Sequence, residues 1–403
     1  VVRRTRMRVV HAAALCTASA LSTSKLPPVV RLFGLSDLHV DYAANLETVK
    51  TLERPPGDGH LALIIAGDVT HNRTTLRDAL TALRRTFDDV FYVPGNHEAW
   101  VTSTDRADGI GDSVAKLRAC EALAEACGCT TRPRTLIDAS GRSVRVAPLR
   151  GWYHASHDRE PSVLPEDDGS RGFSRRWADY RKCRWPPQLL GRGGSEAVAH
   201  GMGAGDDALS AYFAATNTIA RDNTPLVTFS HFVPRPELVP EKRYLFVPAL
   251  AKAVGSTFLE RRVARLRPDV HVFGHTHFGW DATLDGVRYV QACLAYPRER
   301  RDRLTTVAAV CCPADAPDRA TCMPCSPFPV APAPLLLREG GAFVPRYRCG
   351  WSAFYDVNPR RPDLTHMLPP YVAKQYSCVP GVGEVGWGEG VVTPAGAMLS
   401  IST

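Results

Sequence analysis

Five short apolar runs, each closed by a polar turn, punctuate the first three quarters of the chain. Residues 29–35 run into Ser36-Asp37-Leu38-His39, 61–66 into Gly67-Asp68, and 91–93 into Pro94-Gly95-Asn96-His97-Glu98. Farther on, 226–229 run into Ser230-His231, and 270–273 into Gly274-His275-Thr276-His277. Short apolar runs bounded by Gly, Pro, Asp or Asn predict buried strands. The glycines at 67, 95 and 274 are expected to let the backbone turn sharply, aiming the next side chain over the sheet edge. Residues 144–149 and 287–291 read as two further strands. Between these blocks, residues 45–52, 75–86, 113–126, 207–220 and 256–265 place apolar side chains at intervals of three and four, the period of outer helices. Strands alternating with amphipathic helices predict a layered α/β fold.

The polar residues at the strand ends carry the chemistry. In an open α/β sheet the carboxyl ends of the strands are where ligands bind, and Asp37, His39, Asp68, Asn96, His97, His231, His275 and His277 all fall there. Carboxylate oxygen, imidazole nitrogen and an amide oxygen together suit Mn, Fe or Zn, whereas all-oxygen sites favour Mg or Ca. No cysteine belongs to the set, which excludes a thiolate-bound structural zinc built from these residues. With one carboxylate bridging, two cations about 3.5–4 Å apart can share a water, lower its pKa and stabilise both attacking and leaving oxygens. Hydrolysis of a phosphate ester is the reaction such a centre suits.

These five blocks, in this order, resemble the calcineurin-like metallophosphoesterase superfamily over roughly residues 30–300. The resemblance implies a four-layer α/β/β/α sandwich and two divalent or trivalent transition metal ions (Mn, Fe or Zn). It implies that Asp37, His39, Asp68 and His277 hold one ion, with Asp68 bridging, and that Asn96, His231 and His275 hold the other. A metal-bridging hydroxide would attack phosphorus, and His97 would be the catalytic side chain, as general acid or phosphate-orienting group. Two branches are set aside by their signatures. The protein serine/threonine phosphatases carry Asp-Tyr-Val-Asp-Arg-Gly where this chain has Asp68-Val69-Thr70-His71-Asn72-Arg73. Purple acid phosphatases place a metal-bound tyrosine where His71 stands. What remains is a phosphate mono- or diesterase, with a nuclease using the same centre and a catalytically silent scaffold as the other readings.

Composition agrees with an enzyme: 403 residues, 44% hydrophobic and 22% charged, can bury a large core. The net charge, 49 − 41 = +8, is concentrated in Arg3, Arg4, Arg6 and Arg8 and between 171 and 184, and it fits a small anionic phosphate ester as substrate. Nucleic acid fits only the nuclease reading. The expected organisation is a targeting segment (1–28), a catalytic domain (29–305), a Pro/Ala/Cys-rich insertion or linker (306–345) and a C-terminal extension packing on the domain (346–403). Within the catalytic domain, 150–225 reads as a substrate lid or as a surface insertion without substrate contact; in the lid reading His154, Arg176 and Arg181 are the candidate substrate contacts and tryptophans are available for stacking. The arginines of Tyr296 to Arg300 read as ending the preceding strand in solvent, with substrate contact as the other reading.

The first 36 residues hold no Asp or Glu and four early arginines, the profile of a plastid or mitochondrial transit peptide, with a secretory signal as the second reading. No apolar run reaches the length of a membrane-spanning helix, about 18 residues. Of twelve cysteines, Cys322 and Cys325 have half of a zinc-site spacing, but no second spaced pair completes it, so free thiols are expected.

Overall fold

The computed structural model describes residues 26–163, 177–189, 209, 212, 213, 215–302, 334–347, 349–376 and 384–386. Residues 1–25 of the expected targeting segment, Arg176, and the pair Cys322 and Cys325 lie outside the described residues. Among the described residues the six cysteines are free thiols, and no helix is long and apolar enough to cross a membrane.

Two sheets form the centre. In the first, β1 (Val30–Leu35), β2 (His60–Ala66) and β3 (Asp89–Val93) run parallel. The second holds β4 (Arg134–Ile137), β5 (Ser143–Pro148), β6 (Leu226–Phe229), β7 (Val270–Val272), β8 (Trp280–Leu284) and β9 (Val287–Gln291), in the order β4-β5-β6-β7-β9-β8. Strands β5, β6, β7 and β9 are parallel to one another, while β4 and β8 close the edges antiparallel. The central strands are buried on both faces, which is why their sequences are continuously apolar rather than alternating.

Helices α1 (Ala43–Lys50) and α2 (Arg73–Thr86) connect the parallel strands of the first sheet. Helix α2 starts where the Asn72 side chain accepts from the amides of Thr74 and Thr75, and it buries Leu76, Ala79, Leu80 and Leu83, one stripe at helical spacing. The short α3 (Ser103–Ala107) is closed by a Thr102–Asp105 capping box, and α4 (Ser113–Ala126) by Asp112. Helix α5 (Asp179–Lys182) lies in the expected lid. Helix α6 (Thr257–Leu266) is capped by Ser256 and ends at Arg267 in the left-handed region. The helix expected over 207–220 ends early: Thr216 to Ala220 are turn and coil. There the Asn217 side chain takes the Arg150 amide and the Arg262 guanidinium instead of facing solvent.

Three apolar clusters define four layers. One lies between the sheets, where Leu32, Ile64 and Phe91 meet Val146, Phe229 and Val272. A second packs α2 and α4 on the outer face of the first sheet through Leu63, Leu80, Leu83 and Cys120. The third packs α6 on the outer face of the second sheet through Leu226, Leu259, Val263 and Tyr289.

The segment expected as a linker over 306–345 contains a strand. Leu335–Glu339 (β10) pairs antiparallel with β1, and Ala342–Phe343 (β11) pairs with β10. Leu335 and Leu337 are buried between the sheets, so pairing with a distant strand overrides a local context rich in proline and alanine. Helix α7 (Pro297–Asp302) follows β9. Helix α8 (Gly350–Val357) seats Trp351 and Phe354 in the outer cluster of the second sheet.

His271, in β7, is fully buried between two hydroxyls. Ser230 Oγ donates to the Phe232 carbonyl, so it accepts from His271 Nε2, and Thr228 Oγ1 donates to Nδ1. Burial, with the Arg262 charge adding, lowers its pKa to about 3. An unfolded histidine takes its proton near pH 6.5, so acid favours the unfolded chain once the pH falls below that value. The expected loss is on the order of 2 kcal/mol by pH 5. Urea unfolding of wild type and His271→Gln between pH 7 and 5 checks it: the variant should lose stability less steeply, and parallel profiles would sink the assignment.

Candidate metal centre

The carboxyl edges of both sheets meet at one place, and every strand-end motif converges there. Asp37 and His39 follow β1, Asp68 follows β2, Asn96 follows β3, His231 follows β6, and His275 and His277 follow β7. The turns are tight enough to force side-chain-bearing residues into left-handed backbone: φ is 53° at Asp37, 42° at His39, 52° at Asp68, 77° at His275 and 57° at His277. Such conformations cost about 1–3 kcal/mol each and persist only when their surroundings over-determine them. Here the Asp37 and His39 amides bond the carbonyls of Gly67 and Asp68, each at 3.0 Å, and the His275 amide bonds Asp37 Oδ1 at 2.8 Å. Buried Glu98 accepts from the amides of Gly95, Asp68, Val69 and Thr70, tying the second and third motif loops together.

Of the three motif glycines, only Gly67, at φ 79°, needs left-handed freedom. Gly95 and Gly274 are required by space. A Cβ at 95 would lie 2.2 Å from Asp68 Oδ1, and one at 274 would lie 2.8 Å from the Ala66 carbonyl.

Four groups of potential ligand atoms occur among the described residues; two of them include His97, with His39 and Asp68 or with Asp41 and His71, and the other two gather only the expected ligands. Asp37, His39 and His277 form one; Asp68, His231 and His275 form the other. His39 Nε2 stands 2.8 Å from His277 Nε2, and His277 Nε2 stands 3.6 Å from Asp37 Oδ1. In the second, Asn96 Oδ1, His231 Nε2 and His275 Nδ1 form a triangle with 3.0 Å sides. Asp68 faces both, with Oδ1 3.4 Å from His231 Nε2 and Oδ2 3.9 Å from His39 Nε2.

Bonding partners assign the tautomers in the triangle. His231 Nδ1 donates to the Ala66 carbonyl at 3.0 Å and His275 Nε2 to the Ala253 carbonyl at 2.8 Å, so the inward nitrogens carry lone pairs. Asn96 Nδ2 donates to Asp179, which turns its oxygen inward as well. Three acceptors therefore face one another with no hydrogen between them, an arrangement that repels unless a cation sits among them. His277 repeats the logic, since its Nδ1 donates to Glu299 at 2.6 Å. The donor set thus fits transition metal ions on an observation independent of motif matching.

The electrostatics point the same way. Burial drives His39 and His231 well below the ordinary histidine range, with neighbouring imidazoles adding, and lowers His275 to about 3. Neutral imidazole is the form that ligates a metal. Burial raises Asp37 and, more strongly, Asp68, where the charges of Glu98 and Asp37 add to the effect. Carboxylates crowded into low dielectric are the groups a bound cation stabilises most.

His97 lies beside this centre, its Nε2 3.7 Å from Asp68 Oδ2. Its amide donates to Asp68 Oδ1 at 3.0 Å, its ring lies on Trp100 with centroids 3.7 Å apart, and its Nε2 is 3.5 Å from the Tyr296 hydroxyl. Of the residues expected to contact substrate, neither His154 nor Arg181 adds a donor atom to either cluster. His154 caps the short turn 155–157 by accepting from Ser156 and lies edge-on to Phe258, outside both clusters. Arg181 is exposed on α5.

Arg300, expected in solvent, is instead structural, and so is its neighbour Glu299. Glu299 holds His277, and Arg300 braces the carbonyls of Leu294 and Ala295 and the Asn45 side chain. Asp179 and Trp100 are further neighbours of the centre that the motifs do not contain. The one available signal was the acidic residue in an otherwise arginine-rich segment.

A two-sheet α/β sandwich whose strand ends gather two adjacent, cation-seeking donor clusters defines a metallohydrolase class. The chain belongs to the calcineurin-like phosphoesterase family, whose sequence model matches residues 30–279. It is 27% identical over 277 residues to the acyl-carrier-protein phosphodiesterase PptH of Mycobacterium tuberculosis (strain ATCC 25618 / H37Rv), a match spanning 68% of this chain and 80% of that protein. The crystal structure of phosphopantetheinyl hydrolase (PptH) from Mycobacterium tuberculosis superposes with a TM-score of 0.53 at 25% identity, covering 68% of this chain and 93% of that one.

Proposed function

We propose that this chain is a dinuclear metal-dependent phosphodiesterase. The observation that carries the reading is the triangle of inward lone pairs on Asn96, His231 and His275, set beside the Asp37–His39–His277 cluster with Asp68 between them. Asp37, His39, Asp68 and His277 hold one ion; Asn96, His231, His275 and the shared Asp68 hold the other. When bound, the pair supplies Lewis-acid activation of water and of the phosphoryl oxygens. His97, clamped on Trp100 beside the centre, offers a ring nitrogen to the phosphoryl group or the leaving oxygen.

The preference for a diester rests on the likeness to a phosphodiesterase that is matched over four fifths of its length. The substrate class this suggests is a phosphopantetheinyl group attached to a carrier protein through a phosphodiester.

Hydrolysis of bis-p-nitrophenyl phosphate and p-nitrophenyl phosphate by chelator-treated protein, with Mn, Zn, Fe or Mg restored one at a time, tests the reading. Activity should disappear on chelation and return with at least one transition metal, and the diester should be the better substrate. Release of the arm from a phosphopantetheinylated carrier protein should follow the same metal dependence. Cleavage of nucleic acid with neither small diester nor carrier protein turned over would favour the nuclease reading. No turnover and no bound metal under any condition would leave a scaffold.

A further inference from the structure

Asp179 stands in the segment expected to form a substrate lid, yet it is buried against the metal centre. Three neutral donors converge on its carboxylate. Oδ1 accepts from Asn96 Nδ2 at 2.9 Å and from Trp100 Nε1 at 2.6 Å; Oδ2 accepts from Trp177 Nε1 at 3.0 Å.

The bond to Asn96 decides which end of that amide faces inward. Without a cation, the better orientation would turn Nδ2 toward the lone pairs of His231 and His275, where it could donate. The observed one turns Oδ1 toward them at 3.0 Å, the worse choice for an empty triangle and the required one for a filled triangle. Flipping the amide would set its oxygen against the Asp179 carboxylate, so the carboxylate forbids it.

The two tryptophan donors, with Tyr153 beside them, extend the same hold. Trp177 lies edge-on to the His275 ring and Tyr153 stacks parallel to it, both with centroids 6.3 Å apart, while Trp100 carries His97 on its face. Lys182, one turn beyond Asp179, places its ammonium 3.9 Å from the centre of the Trp100 ring.

We propose that Asp179 is a positioning residue for the second metal site: it locks the Asn96 oxygen onto the His231–His275 pair and fixes the aromatic wall around His275 and His97. The described stretch around Asp179, between the third and fourth motifs, then completes the metal centre. This rests on the dinuclear reading above.

Titration of Mn(II) into chelator-stripped full-length protein, with free Mn(II) followed by electron paramagnetic resonance, tests the role without relying on turnover. Wild type should bind two equivalents. In Asp179→Ala one equivalent should keep its affinity and the other should weaken by about 10–100-fold, the usual effect of removing an outer-shell partner. Asp179→Asn keeps an acceptor for Asn96 and Trp100 but opposes an N–H to Trp177 Nε1, so it should weaken the same equivalent by about tenfold or less. Being isosteric, it carries the test if the alanine variant does not fold.

Unchanged affinity for both equivalents in the variants overturns the proposal, and so does equal weakening of both, which would mark a merely structural role. A wild type that takes up one equivalent sinks the dinuclear reading by itself. The positioning role then requires that single equivalent to weaken in Asp179→Asn, and is overturned if it does not.

Discussion

Asp68→Asn is expected to lower kcat/KM for diester hydrolysis on the order of 10³-fold, the scale on which a single essential electrostatic group acts, while leaving the metal-free protein at least as stable as wild type. The two halves of this expectation share one cause. Asp68 is buried between the donor clusters, and burial together with the charges of Glu98 and Asp37 pushes its carboxyl well above the ordinary range. Its charge is therefore a cost to the empty fold that only cations between the clusters offset. Asparagine has the same shape, tolerates the left-handed backbone found at φ 52° and can still accept the His97 amide through its oxygen. What it lacks is the second anionic oxygen that faces His39 and His97, at 3.9 and 3.7 Å.

Urea unfolding of the chelated proteins and steady-state kinetics of the metal-loaded ones separate the two claims. A variant that loses activity and stability together would mean that Asp68 is structural. One that retains activity would remove it from between the metals.

The parts of this centre that could be read from sequence are those whose signal is local. Asp37, Asp68, Asn96, His231 and His275 each follow an apolar strand by two or three residues, so the strand pattern and the ligand identities point to the same edge. The supporting groups carry no such signal. Asp179 lies 83 positions from Asn96 and Glu299 lies 22 from His277; a lone acidic residue among arginines marks Asp179 as unusual without naming its partner, and the post-strand turn does not announce Glu299. Strand β10 was hidden for the same reason, because Leu335 to Glu339 become a strand through pairing with β1, on the far side of the whole domain in sequence. The glycines were located by sequence but only partly explained by it. Close approach to Asp68 and Ala66, which fixes Gly95 and Gly274, exists only once the five loops have assembled.

Lys116→Ala should destabilise the protein by about 3–5 kcal/mol, the range for removing one partner of a buried ion pair. Lys116 is fully buried on α4, and its ammonium reaches Asp105 Oδ2 at 2.7 Å, the His71 carbonyl at 2.6 Å and the Trp100 carbonyl. All three of its protons are thereby used, and truncation leaves the buried Trp100 carbonyl, the part-buried His71 carbonyl and a carboxylate short of a donor. Burial works against the Asp105 charge, but the bonds from Lys116, Thr102 and Arg73 outweigh it and hold the carboxyl at about 2.

Arg73, 2.8 Å away through Nε, stays in place in the variant, so the effect should fall toward the lower end of the range. Asp105→Ala added to Lys116→Ala should cost less than the two single changes combined, by about 0.5–3 kcal/mol, because the double variant no longer buries half of the pair. Urea unfolding of the four proteins measures the cycle, and strict additivity would show that the two charges do not support each other. The lysine also fixes the carbonyls of His71 and Trp100, and Trp100 carries His97. Residual folded Lys116→Ala should therefore lose activity beyond its loss of folded protein, which kinetics normalised to the folded fraction would reveal.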